Sequence, residues 1–93
     1  MIVGILQLEL RIAESHSLKE KRMVLKSLKD RLRQKFNISI SEIGLQDKWQ
    51  GAVIGIAAIG TDKKYVNGLL SSVLDWVAAH RSIELVSTQM EIL

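Results

Sequence analysis

Ninety-three residues suit one domain, and a hydrophobic content of 47% is enough for a core of modest stability. The absence of cysteine excludes disulfides, a thiolate nucleophile and a cysteine zinc site, and fits a reducing compartment. The net charge of +3 is unevenly spread: residues 17–36 hold eight of the thirteen basic residues and carry +6, whereas the rest of the chain carries −3.

No apolar run reaches the roughly 18 residues that a membrane span needs. Met1 to Leu6 has neither a basic leader nor a small-residue cleavage site, and its apolar residues run on into Gln7, Glu9 and Arg11 as in a strand. There is no proline, low-complexity stretch or linker. The expectation is one cytoplasmic domain spanning residues 1–93.

Residues 2–12 alternate. Ile2, Leu6, Leu8, Leu10 and Ile12 share one face, and Gln7, Glu9 and Arg11 the other, which predicts a first strand. Ser17 followed by Glu20 is a capping box. It opens a helix to about Phe36 with a buried stripe of Leu18, Leu25, Leu28, Leu32 and Phe36. Asn37, which tolerates left-handed backbone, is the expected stop. Ile38 and Ile40 alternate with Ser39 and Ser41 in a second strand near 37–45.

The polar stretch from Gly44 to Gly51 is a connection. Residues 52–60, apolar on both faces, suit a central strand. Thr61 or Asp62 caps a second helix near 62–81, with Val66, Leu69, Leu70, Val73 and Val77 as its stripe. A last strand covers about 83–93, with Val86, Met90 and Ile92 on one face.

The order βαββαβ is the split βαβ, or ferredoxin-like, arrangement of the α+β class. Right-handed crossovers predict a four-stranded antiparallel sheet of order 4-1-3-2 with both helices on one face. The open face then carries Val3, Ile5, Gln7, Glu9 and Arg11 from the first strand and small or aliphatic residues from the third. A homodimer through the sheet would cover it, or its alanines and glycines make it tolerable in water.

Lys19, Arg22, Lys26, Lys29 and Arg33 recur at steps of 3, 4, 3 and 4. They fall within about 80° of arc on the first helix, beside the apolar stripe. Five cations on one ridge repel one another, which helix formation does not require. A polyanion would select such a ridge through counterion release, although charged helix faces are commonly just solvated. Lys21 falls at the angle of the apolar arc. It either snorkels from the core edge or points at a site formed with the loop before the helix. The candidate nucleic-acid-binding residues are therefore Lys19, Lys21, Arg22, Lys26, Lys29 and Arg33.

The aromatics are Phe36, Trp49, Tyr65 and Trp76, none in the two central strands. Base stacking on the sheet, as in single-strand readers of this fold, is not expected. Contact with RNA would be made to phosphates. Trp49, in a polar loop, either anchors a partner or folds back over the sheet edge, and the second is preferred.

His16 and His80 lie far apart in sequence without an assignable carboxylate partner. They suit a loop position and the last turn of the second helix, respectively. No phosphate loop, metal-spaced cluster or nucleophile elbow occurs, so no enzyme activity, cofactor or metal is expected. Acylphosphatases share the chain order, but their glycine-rich first loop with its arginine is replaced by Ala13-Glu14-Ser15-His16.

Ser17-Leu18-Lys19-Glu20-Lys21-Arg22, Val24-Leu25-Lys26, Lys35-Phe36-Asn37 with Ser41-Glu42, and Asp47 with Trp49-Gln50 together resemble the YlxP, or DUF503, family over essentially the whole chain. The resemblance implies a bacterial cytoplasmic protein of ferredoxin-like fold, often encoded among translation genes, with no established activity or catalytic residues. The expected function is that of a non-catalytic accessory protein touching structured RNA or the ribosome through its first helix. The alternative is an ACT-like homodimeric module that holds a ligand or protein on the open sheet face.

Overall fold

A computed structural model describes residues 1–93. The elements are β1 (Ile2–Arg11), α1 (Leu18–Lys35), β2 (Ser39–Gly44), β3 (Gly51–Gly60), α2 (Lys63–Ala78) and β4 (Glu84–Ile92). All strand pairings are antiparallel, in the order β2-β3-β1-β4. The two ten-residue strands β1 and β3 pair along their full length, from Ile2 opposite Gly60 to Arg11 opposite Gly51. This long central pair sets the alternation for everything packed on it.

Leu6, Leu8 and Leu10 of β1 and Ala52, Ile54, Ile56 and Ala58 of β3 point to the same side and are buried. Leu25, Leu28 and Leu32 of α1 close over them, joined by Val66, Leu70, Val73 and Val77 of α2. The helix α1 lies toward β2, whereas α2 crosses β1, β3 and β4. Burial of these aliphatic chains, at roughly 1.5–3 kcal/mol each, is the main force holding the layers together.

Both helix starts follow their side-chain caps. Ser17 Oγ accepts from the amide of Glu20 at 3.1 Å, and Asp62 Oδ1 accepts from the amide of Tyr65 at 2.9 Å. Glu20 reaches one residue beyond the cap, where its carboxylate accepts from the amide of His16 at 2.7 Å. At the other end of α1, Asn37 takes no left-handed conformation. The helix leaves through extended Phe36, at φ −130° and ψ 145°. Phe36 and Ile38 both pack on the core, and this pulls the chain straight into β2.

Two register shifts depart from simple alternation. In β2, Glu42 faces Ile54 and Gly44 faces Val53, which leaves Ile43 as the extra residue of a bulge. In β4 the shift opposite Glu9 and Leu10 leaves Val86 unpaired and 53% exposed, so it does not share the half-buried side of Met90 and Ile92. The helix α2 ends at Ala78, short of His80, whose Nδ1 accepts from the amide of Ser82 at 3.3 Å.

The helix α2 packs tightly over Gly4 of β1. A Cβ there would lie 2.5 Å from Val66 Cγ1 and 2.8 Å from Leu70 Cδ1. Val66 is branched and fully buried, so it cannot swing away. Gly4→Ala is therefore expected to destabilise the fold by about 1–3 kcal/mol, measured by urea denaturation, and adding Val66→Ala should return part of the loss.

Candidate nucleic-acid interface

The six sequence candidates on α1 divide into two groups. Lys19, Arg22, Lys26 and Arg33 are exposed and Lys29 is half-buried, all on one flank of the helix. Arg33 shows which flank: its Nη2 donates to the backbone carbonyl of Ile40 at 3.1 Å, so the ridge runs along the β2 side. From Lys19 to Arg33 it extends about 21 Å at the helical rise per residue.

Lys21 does not belong to the ridge. It is fully buried, and its ammonium donates to the carbonyls of Leu45 at 2.7 Å, Gly51 at 2.9 Å and Gln46 at 3.3 Å. Glu42 Oε2 lies 3.1 Å away. Four oxygens compete for three protons, and Glu42 Oε2, which has no other partner, is met by the ammonium's charge. The side chain thus reaches neither solvent nor the loop before α1, as the sequence had suggested. It is consumed by the loop between β2 and β3.

That loop, residues 45–50, is braced on several sides. Leu45 is the one non-glycine residue with positive φ, at 57°, a conformation costing about 1 kcal/mol. Its carbonyl accepts both from Lys21 and, at 3.0 Å, from the amide of Lys48. Gln50 Nε2 donates to the carbonyls of Ala13 at 3.0 Å and Ser15 at 3.2 Å, and the Gln50 carbonyl accepts from the amide of Ile12 at 2.9 Å. The loop, the β1–α1 connection and the first turn of α1 are one tied corner. Trp49 does not fold back over the sheet edge: it is 56% exposed.

Only part of the ridge is free of partners. Lys26 pairs with Asp30 at 2.8 Å, and Arg33 Nη1 lies 3.7 Å from the same carboxylate. The bond from Lys26 holds the Asp30 carboxyl below its ordinary value of 3.8, against an opposing desolvation, with the charges of Lys26, Arg33 and Lys29 adding to the lowering. A depressed carboxylate stabilises above its unfolded value, and that contribution goes only as pH falls through the lowered one. Asp30 therefore stays ionised throughout the neutral and mildly acid range. Lys19, Arg22 and Lys29 make no ion pair.

Residues 3–90 match the family model described as a protein of unknown function, DUF503. The chain belongs to the DUF503 family. It is also 41% identical over 90 residues to the uncharacterized protein YlxP of Bacillus subtilis strain 168, a match covering 97% of this chain and 98% of that one. The DUF503 match therefore spans both the α1 ridge and the loop corner.

Sequence reasoning placed the ridge residues on one face and marked Lys21 as anomalous from its helical angle. It missed Glu42, Leu45 and Gln50 as the groups that organise the corner. Lys21→Met would strand the Glu42 carboxylate and remove a donor from the carbonyls of Leu45, Gln46 and Gly51, of which Leu45 keeps the Lys48 amide, and is expected to cost about 3–5 kcal/mol in urea denaturation. A second change, Glu42→Gln, should recover part of that. A loss under about 1 kcal/mol would mean that the ammonium is solvated.

Proposed function

We propose that this protein is a non-catalytic, cytoplasmic accessory protein of ferredoxin-like fold that binds structured RNA, alone or in the ribosome, through the outer flank of α1. The observation that carries the reading is the alignment of Lys19, Arg22, Lys26, Lys29 and Arg33 along the β2 side, opposed there by Asp30 alone. Each phosphate neutralised by such a row releases condensed counterions, so affinity grows with the number of cations and falls with salt. Arg33 also caps an edge-strand carbonyl, so a test that spares the fold leaves it in place.

Changing Lys19, Arg22, Lys26 and Lys29 together to glutamine should reduce the slope of log affinity against log salt for ribosomal RNA fragments by about 3–4. Asp30→Asn should move it in the opposite direction, with little change in stability. Filter binding across a salt series measures both. An unchanged slope in the quadruple variant would remove the reading.

A second reading rests on the open face of the sheet. Ile5, Ile43 and Ile59 stand out there at 39%, 52% and 58% exposure. Beside them Gly55 and Ala57 floor a groove of about 350 Å³, also lined by Ile5, Gln7, Ser39, Ser41 and Ile43. Knobs and hollow on the same surface are what an isologous contact needs, so a second copy of this chain is the occupant proposed. Such a pair would enclose the groove as a ligand site of the ACT-like kind. Sedimentation equilibrium should show a dimer that Ile59→Lys converts to monomer. A monomer at every concentration would exclude this arrangement.

A further inference from the structure

The loop 45–50 carries an exposed indole on a rigid support. Trp49 is 56% exposed, yet the backbone on either side of it is fixed. Lys21 holds the carbonyls of Leu45, Gln46 and Gly51, and Gln50 is tied to Ala13, Ser15 and Ile12. An aromatic side chain in this setting has already lost much of the backbone freedom that binding normally removes.

The support also sets its neighbours. Lys21 lies in the first turn of α1 but on its buried side, so its tie fastens the tryptophan loop beneath the helix end at which the ridge of Lys19 and Arg22 begins. Lys48 precedes Trp49 directly. An indole face stacks on any nucleobase, and cations beside it take the adjoining phosphates. Bases inside a duplex are covered by their neighbours, so stacking on an external ring requires an unpaired nucleotide. A protein partner could also bury a tryptophan, but its side of the contact would need acidic residues to match the ridge.

We infer that Trp49 and the α1 ridge form one surface for RNA stems that end in unpaired nucleotides: the ridge takes the stem phosphates and Trp49 stacks on the first unpaired base. The inference rests on the RNA-binding reading above and adds the class of RNA. It makes the loop corner a reader of junctions on a fold whose central strands carry no aromatic.

The test compares a blunt RNA duplex with the same duplex bearing a single-stranded overhang. Trp76→Phe protein, in which Trp49 is the one remaining indole, is titrated with each. The overhang RNA should quench the emission and bind about tenfold more tightly than the blunt duplex. Trp49→Ala should abolish that preference while leaving blunt-duplex affinity and its salt slope unchanged. Should Trp76→Phe fail to fold, anisotropy of labelled RNA with the parent and Trp49→Ala proteins gives the same comparison.

Equal affinity for the two RNAs would overturn the inference and leave the ridge reading intact. No binding to either would overturn both. Quenching by poly-glutamate as strong as that by the overhang RNA would assign the surface to an acidic protein and overturn the inference as well.

Discussion

A single ammonium group ties three separate stretches of this chain together. Lys21 Nζ is buried beneath the first turn of α1 with Glu42, Leu45, Gln46 and Gly51 around it. A charge withdrawn from water this completely is tolerable only when nearly every proton has an acceptor. The geometry of the loop is therefore prescribed by the ion. Gly51 starts β3, Leu45 must turn its carbonyl inward, and the left-handed backbone at Leu45 is accepted as part of that turn. The β2 bulge belongs to the same arrangement: Glu42 stays on the helix side opposite Ile54, while the extra residue Ile43 goes to the open face, over Gly55.

Arg33 does at the far end of α1 what Lys21 does at the near end. It reaches sideways to a carbonyl of β2, whose outer edge otherwise has no strand beside it. The helix is thus fastened to the β2 side of the sheet by a cation near each end. Two of its eight basic residues serve the fold, and Lys26 is partly offset by Asp30. What is left without an ion pair is Lys19, Arg22 and Lys29 on the ridge, with Arg31 and Lys35 exposed on other sides of the helix. On the proposed reading, the unpaired ridge cations Lys19, Arg22 and Lys29 are the ones that an external anion would meet without first displacing Asp30.

The element order, the central position of β1 and β3 and the ridge were legible because each depends on a local period that burial enforces. The failures have a common cause in contacts between distant residues. Asn37 is a good left-handed cap by type, but Phe36 and Ile38 dock on the core and straighten the chain. The bulges at Ile43 and Val86 depend on register against a partner strand, which alternation within one strand does not encode. The helical angle of Lys21 places it on the apolar arc, where snorkelling or a site with the loop before α1 is expected, but its acceptors lie 21 to 30 residues away and are mostly backbone carbonyls, which have no signature in sequence. Trp49 among polar neighbours gave no sign of whether its loop was braced.

The two surfaces that lack partners lie on opposite sides of the sheet, and this limits how they can be used together. The helices cover one face, so α1 and its ridge point away from Ile5, Ile43 and Ile59. A second copy seated on the open face would leave both ridges outward. If the proposed RNA reading holds, pairing of that kind would join two cationic rows and raise affinity for a long RNA by making the second contact intramolecular, without any new contact to the nucleic acid. The uses proposed for the sheet face and the helix flank are therefore compatible with each other, and the Lys21 corner fixes the geometry of the loop that carries Trp49.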